Sequence, residues 1–386
     1  MTTPQDADFL IVGSGIAAAS VGYWLAPHGR VLLVEREFQP GYHSTGRSAA
    51  MFIESYGTPQ VRALTRASRS FFERPPPGFS EGPILAPRGM LILARHGQEA
   101  QLDEHWHILS TLSAQARLLL PAQARELLPV LRDDQIVGAA FAPDALEMDV
   151  NNLHQGYLKG LRQRGGRVLC DSPVHALHHD GDLWHASAGA HHCRAPVVIN
   201  AAGAWCDEVA ALAGVPPIGL IAKRRSAFVF APPANAQAQH WPMALAADES
   251  WYLKPDAGQL LGSPANADPV PAHDVQPEEL DIALGIDRIQ EMTTLQIRRP
   301  HRTWAGLRSF VADGDLVGGF DPQAKGFFWL AAQGGYGIQT SAAMGQACAA
   351  LARGRRMPAV LADHGLTATM LSPARLRHRK TPALQP

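Results

Sequence analysis

The 386-residue sequence predicts an α/β fold, in which a discontinuous Rossmann-like domain with a parallel sheet carries an inserted, largely antiparallel β-sheet domain of α+β character. Three observations predict it. Short, continuous apolar runs of the buried parallel-strand type stand near the start, middle and end of the chain. Small-residue, Gly-containing turns follow them, each leading towards a helical pattern. The stretches between are β-rich and broken by Pro and Gly. At roughly 100–200 residues per domain the length allows two or three domains. Apolar residues make up 46%, enough for their cores.

The first element is the most informative. Phe9 to Val12 is apolar throughout, and Gly13-Ser14-Gly15-Ile16-Ala17-Ala18 follows. A helical stretch then stops at Ala26-Pro27-His28-Gly29, and Val31 to Val34 gives a second strand ending in Glu35. Strand, turn, helix and strand within about 30 residues is the size of a βαβ unit. Residues 58–74 read as a helix ended by Pro75-Pro76-Pro77-Gly78, and Met90 to Ala94 as a strand. Asp149 is placed to cap a helix with apolar Val150, Leu153, Tyr157, Leu158 and Leu161. Val197 to Asn200 is a further buried strand before Ala201-Ala202-Gly203-Ala204-Trp205. Residues 223–265 are β-rich, and a helix is expected near 278–294. Phe327 to Ala332 is the last strand, before Gln333-Gly334-Gly335-Tyr336-Gly337 and an Ala-rich helix.

The turn Gly13-x-Gly15-x-x-Ala18 carries chemistry. Gly13 permits a tight turn, and Gly15 lets the backbone approach a pyrophosphate on the helix N-terminus. Ala18 is small enough for close helix–strand packing. Glu35, at the end of the second strand, is suited to ribose hydroxyls and repels a 2′-phosphate. An ordinary tight turn is the alternative, but strand, helix and acid in the right order favour a dinucleotide. Three features favour FAD over NAD. The polar small-residue loop from Gly41 to Ala50 directly follows the second strand. Asn200-Ala201-Ala202-Gly203 offers a close approach. Gly334-Gly335-Tyr336-Gly337 opens a late helix whose N–H groups suit the flavin edge that becomes negative on reduction.

With these segments in view, the chain resembles the glycine oxidase/D-amino-acid oxidase family of FAD-dependent enzymes, and within it the bacterial D-arginine dehydrogenase branch. The resemblance is carried by Gly41 to Ala50 (GYHSTGRSAA), Asn200 to Asp207 (NAAGAWCD), Lys223 to Phe228 (KRRSAF), Trp251 to Asp256 (WYLKPD), Trp304 to Asp315 (WAGLRSFVADGD) and Ala332 to Met344 (AQGGYGIQTSAAM). It implies Arg225 and Arg308 as carboxylate-binding arginines, Tyr252 and Tyr56 as pocket tyrosines, and Gly335 and Ile338 in the loop bordering flavin and substrate. Arg is chemically apt, because its rigid fork matches a planar carboxylate. From the residues alone, Arg225 reads equally well as a surface member of Lys223-Arg224-Arg225. The implied cofactor contacts are Gly13, Gly15, Ile16, Ala17, Ala18, Glu35, Arg36, Ser44, Thr45, Gly46, Arg47, Ser48, Val174, Gly203, Trp205, Gly334, Gly335, Tyr336, Gly337, Ile338 and Gln339. His43 is implied only as a cofactor-loop residue, and FAD is expected to be non-covalent.

The chain departs from the arginine-preferring members in one segment. Where they carry a glutamate facing the substrate's cationic end, Pro87-Arg88-Gly89-Met90 has no acid. Met51 and Ile53 stand where the relatives have His and Thr, and strand alternation puts both on one face. Met51, Ile53 and Met90 are therefore expected substrate-pocket residues, with Glu54 or Glu81 as acids that would restore cation binding.

Composition narrows the class. With 34 Lys+Arg against 35 Asp+Glu the net charge is −1, which argues against nucleic-acid binding. No apolar run reaches the ~18 residues of a membrane span. The four cysteines are scattered with no CxxC pair, as in a reduced cytoplasmic protein, and the His178-His179 and His191-His192 pairs read as hairpin decoration without a metal. The expected domains are 1–80, 146–218 and 306–366 for FAD and 81–145 and 219–305 for substrate, with 367–386 a flexible basic tail. The expected activity is oxidative deamination of a D-amino acid, with neutral apolar side chains preferred over D-Arg. The electron acceptor, oxygen or a quinone- or dye-like molecule, has no motif. A flavin dehydrogenase of a 2-hydroxy acid or secondary amine is the nearer rival, and a non-catalytic flavin-binding module the remoter one.

Overall fold

A computed structural model describes residues 4–377. Its six-stranded sheet runs in the spatial order Arg167–Leu169, Val31–Val34, Phe9–Val12, Val197–Asn200, Phe327–Ala331, Val317–Phe320. Neighbours are parallel except for the last pair. The strands are apolar on both faces because both are covered. Ile11, Leu33, Ile199 and Phe328 pack under the helices Ile16–Leu25, Pro59–Glu73, Val150–Gln163 and Ser341–Ala352. Leu10, Leu32, Val198 and Phe327 face a meander of Val174–His179, Trp184–Ala188 and His191–Ala195. Asp149 caps its helix, its side chain accepting from the Asn152 N–H at 2.8 Å. Gly345 sets the approach of two helices: a Cβ there would lie 2.0 Å from Ser20 Oγ.

The second large sheet has the order Asp268–Pro269, Ile221–Phe230, Gln259–Ser263, Tyr252–Asp256, Met243–Ala246, Met90–Ala94, Gly138–Ala142, Arg117–Leu119, with Arg302–Phe310 also paired to Ile221–Phe230. All its pairs are antiparallel except Met243–Ala246 against Met90–Ala94. The helix Glu279–Met292 covers one face and Glu99–Leu112 the other.

Two boundaries differ from the sequence expectation. Arg302–Phe310 is one continuous strand, in register from Ile221↔Phe310 to Val229↔Arg302, so the substrate sheet continues past residue 306. The basic tail expected from 367 is folded as far as it is described: Ala368–Leu371 and Ala374–Arg377 are helical. Arg375 Nε donates to Asp313 at 3.0 Å, and Arg377 Nη2 to Asp321 at 2.7 Å. These arginines find partners that are remote in sequence. Residues 378–386 of that expected tail lie outside the described residues. No described helix is long and apolar enough to cross a membrane. The paired histidines lie on the meander, where His185 stacks on His178 and His192 and bonds Asp180 at 2.7 Å.

Candidate active site

The first cavity opens at the C-terminal ends of the parallel strands. Its wall includes Gly13 to Ala17, Glu35, Arg36, Tyr42 to Thr45, Val174, Gly203, Trp205 and Gly334. Gly13 has φ +105°, and a Cβ there would lie 2.6 Å from the Ala201 carbonyl oxygen, so only glycine fits. The helix from Ile16 begins without a side-chain cap from Gly15, which leaves N–H groups of its first turn to an anion. Glu35 is buried. Its Oε2 accepts from the Ser14 N–H and hydroxyl at 2.8 and 2.6 Å, and its Oε1 from the Glu37 N–H at 3.0 Å. Thr45 Oγ1 accepts from the Ile16 N–H at 3.0 Å, tying the polar loop to the helix start.

A second cavity continues from the first, with Ile16, Ser44, Thr45, Leu307, Gln333 and Gly334 lining both. Beyond them it is walled by Arg47, Ser48, Ala49, Arg225, Ala227, Tyr252, Leu261, Trp304, Arg308, Gly335, Gly337 and Ile338. A nucleotide-sized cradle thus runs without a break into a pocket with two arginines. That continuity fits FAD, whose dinucleotide end and ring system must occupy both.

Strand alternation decides which arginine enters. Arg224 turns away to Asp268, Glu278 and Asp281. Arg225 points into the cavity, and its Nε donates to the Asn266 carbonyl at 2.7 Å. Arg308 comes from Arg302–Phe310. Neither Arg225 nor Arg308 forms an ion pair among the described residues. Burial, and then the neighbouring Arg308, hold the Arg225 pKa down at about 10. Burial also works against the charge on Arg308, but Tyr56 and Tyr252 outweigh it, and its pKa lies above the ordinary value. Two cations face one small space whose described lining contains no Asp or Glu.

Other expected site residues fall elsewhere. Ala18 is fully buried beneath the cofactor turn and lines neither cavity. Gly46 borders a separate opening, and a Cβ there would be 2.9 Å from the Gly41 carbonyl oxygen. Tyr336 packs on Tyr56 with ring centroids 5.2 Å apart, and burial followed by Tyr56 pushes its pKa up. Gln339 is a strut, its Oε1 accepting from the Ile53 N–H at 3.1 Å and its Nε2 donating to Thr65 at 3.1 Å. Met51, Ile53 and Met90 share one apolar cluster with Tyr56 and Tyr252, behind the cavity wall itself. Glu54 is paired with Arg69 at 2.6 Å, and Glu81 is exposed.

The fold adds residues that the sequence reading missed. Trp304 and Gly306 alternate with Arg308 on one strand, and Ala227 follows Arg225 by two, so a period-2 count from each arginine would have found them. His154 gave no such signal. It is buried on the helix Val150–Gln163, its Nε2 donating to the Ser14 carbonyl at 2.8 Å, and burial lowers its pKa.

The family model for FAD dependent oxidoreductases (DAO) matches residues 8–351. The chain belongs to that family. This FAD-dependent oxidoreductase is 23% identical over 400 residues to FAD-dependent oxidoreductase domain-containing protein 1 of Xenopus laevis, with 90% of the chain and 79% of that protein covered. It is 25% identical over 363 residues to the mitochondrial sarcosine dehydrogenase of Homo sapiens, covering 84% of the chain but 37% of that protein. The crystal structure of glycine oxidase from Geobacillus kaustophilus superposes with a TM-score of 0.80 at 20% identity, over 91% of this chain and 95% of that one. For the oxidoreductase these likenesses agree with the cavity: FAD is the group that both halves of the cradle fit.

Proposed function

We propose that this oxidoreductase oxidises the Cα–N bond of a D-amino acid with a neutral, apolar side chain. The observation that carries the amino-acid reading is the pair Arg225 and Arg308, unpaired cations converging where the cofactor cradle ends. Each guanidinium offers a fork to a carboxylate, and a carboxylate relieves their mutual repulsion. Tyr252, beside both, supplies a hydroxyl to the same group. Trp304, Leu261 and Ala227 form the apolar part of the wall and keep water from the bound substrate. With the carboxylate fixed, Cα is held in one orientation, which is the protein's main contribution to rate. Bound FAD supplies the acceptor for the hydride that leaves Cα. No side-chain base is required at Cα. The imino acid leaves and is hydrolysed by water to a 2-oxo acid and ammonia.

The D configuration rests on the resemblance carried by Gly41 to Ala50 and Trp304 to Asp315. The likeness to sarcosine dehydrogenase favours a second reading, oxidation of an N-methyl amino acid on the same clamp. One experiment separates them. The purified yellow protein is mixed anaerobically with a panel of D-, L- and N-methyl amino acids, and flavin bleaching and released ammonia are measured. D-specific bleaching with stoichiometric ammonia supports the proposal. Bleaching by N-methyl substrates with release of formaldehyde and the free amino acid, and no ammonia, supports the second reading, because an imine formed at the N-methyl carbon hydrolyses to those products. The same panel with oxygen or a dye identifies the acceptor.

A further inference from the structure

The opening beside Gly46 is a third cavity, larger than the second and adjoining it. Arg47, Ser48, Leu261 and Trp304 line both, so these four residues form the partition between them. The two spaces follow one another along one sheet face. On Ile221–Phe230, Arg225 and Ala227 line the second cavity and Val229 the third. On the antiparallel neighbour Arg302–Phe310, Arg308 and Gly306 line the second, Arg302 the third, and Trp304 both. Each set has the period of two that keeps side chains on one face. Beyond the two arginines, in the direction of Val229 and Arg302, the clamp cavity therefore ends at Trp304 and the chamber begins.

Trp304 is the largest side chain of the partition, and it is fixed. The strand register sets it opposite Ala227, and Arg225 opposite Gly306, so the wall between clamp and chamber is otherwise made of small residues on these strands. The indole Nε1 donates to the Arg47 carbonyl at 3.3 Å. Arg47 is held in turn: its Nη1 donates to the Val275 and Ala305 carbonyls at 3.1 and 3.0 Å, and its Nη2 to Asp274 at 2.5 Å. Trp304 also packs against the apolar cluster that includes Ile53, Met90 and Tyr252. The Arg302 guanidinium, which lines the chamber, lies 6.0 Å from the indole centroid. The partition divides unlike surroundings. The near side has Ala227, Tyr252 and Leu261, whereas the chamber has Asp256, Gln259, Asp274, Gln276, His301 and Arg302. A side chain too long for the near side must displace a bonded indole, and overpacking of that kind is destabilising.

We propose that Trp304 is the specificity-determining residue for side-chain length: it ends the substrate pocket, so that compact apolar side chains are accepted and long ones meet the indole. The inference rests on the carboxylate clamp proposed above and sets the limit of the substrate class there.

The test uses the FAD-loaded enzyme and its Trp304→Ala and Trp304→Phe variants. Turnover gives kcat/KM for D-alanine, D-leucine and D-2-aminooctanoate. Perturbation of the flavin spectrum gives Kd for unbranched carboxylic acids from butanoate to decanoate, a readout that needs neither turnover nor a chiral centre. In the parent, kcat/KM should fall about tenfold or more from D-leucine to D-2-aminooctanoate, the scale on which a closed apolar pocket rejects surplus methylenes. Trp304→Ala should raise the ratio of D-2-aminooctanoate to D-alanine by about the same factor, and Trp304→Phe should move it the same way by less. Water admitted by a smaller side chain would lower all three substrates together and leave that ratio alone. The acids should show a length optimum in the parent that shifts to longer chains in both variants. A parent that takes D-2-aminooctanoate as well as D-leucine, or a ratio and an optimum that neither variant moves, would overturn the inference; if the acids bind in that case, the clamp stands and Trp304 has no such role. If the parent binds none of the acids, the clamp itself is wrong and the inference falls with it.

Discussion

The guanidinium of Arg308 occupies the space that a side chain on Gly335 would need: a Cβ there would lie 2.8 Å from Cζ and Nη1 and 3.0 Å from Nε. Gly335 is not in the left-handed region, so alanine is compatible with its backbone. Gly335→Ala should therefore fold and displace Arg308. A shift on the order of 1 Å in a positioning group costs up to about 10²-fold. The expected result is a fall in kcat/KM of about that size with an unchanged flavin-to-protein ratio. Wild-type kinetics in Gly335→Ala would show that Arg308 does not position substrate where it stands.

Arg225→Met and Arg308→Met address the clamp directly. A buried charge-assisted pair is worth on the order of 2–5 kcal/mol when one partner is removed. Because the carboxylate is common to all amino acids, kcat/KM should fall by a similar factor across a substrate panel. A changed order of side-chain preference, with the best substrate unharmed, would mean that the residue reads the side chain.

The two arginines also differ in how they should titrate. Burial and Arg308 hold the Arg225 pKa at about 10, whereas Arg308 is shifted upwards. A bound carboxylate favours the protonated guanidinium, so binding is linked to a proton that Arg225 must keep. The Kd of a carboxylate inhibitor should be flat below that pKa and weaken as pH rises through about 10, approaching tenfold per unit. Only one proton is involved, since Arg308 stays charged. Inhibitor titrations between pH 8 and 11 measure it, and a flat Kd to pH 11 contradicts it.

How much of this was legible in the sequence depends on the range of the contact. The βαβ unit was, because apolar runs, the Gly13-x-Gly15 spacing and Glu35 all lie within one local unit. Arg225 was not separable from Arg224 within Lys223-Arg224-Arg225; only the strand's two faces, one meeting Asp281 and the other the cavity, divide them. Arg375 and Arg377 looked like a solvated basic tail because their partners, Asp313 and Asp321, lie far back in the chain.

The cofactor should be held without a covalent bond. His43, the loop residue with chemistry suited to attachment, has its Nε2 2.9 Å from Glu37 Oε1 and its ring 4.7 Å from that of Trp205. Acid precipitation of the yellow protein should leave the colour in the supernatant. Colour in the pellet, or a flavin-sized increase in protein mass, contradicts this.

Side-chain preference is expected to follow from what surrounds Tyr252, which lines the second cavity, and Tyr56, which lines neither cavity but packs in the same apolar cluster. Tyr252 and Tyr56 are backed by Met51, Ile53, Met90 and Met243, an apolar cluster. Glu147, opposite Met51 in the strand register, is the acid that the fold brings closest to this cluster by pairing. It already holds Lys254 at 2.5 Å and Arg88 at 2.5 Å, and Lys254 is itself buried and shared with Asp256. Burial works against the Glu147 charge, but Lys254 and Arg88 outweigh it and keep its pKa low, so the acid is ionised and already paired. A substrate guanidinium pushed against this wall would have to displace Lys254 or Arg88 from Glu147, or stay unpaired at a cost of several kcal/mol. An apolar side chain in the same place gains roughly 0.8 kcal/mol per buried CH₂. Both effects favour D-Leu or D-Met over D-Arg. Measured kcat/KM should rank D-Arg last of the three. D-Arg as the best substrate of the parent enzyme would mean that its side chain does not meet this wall at all.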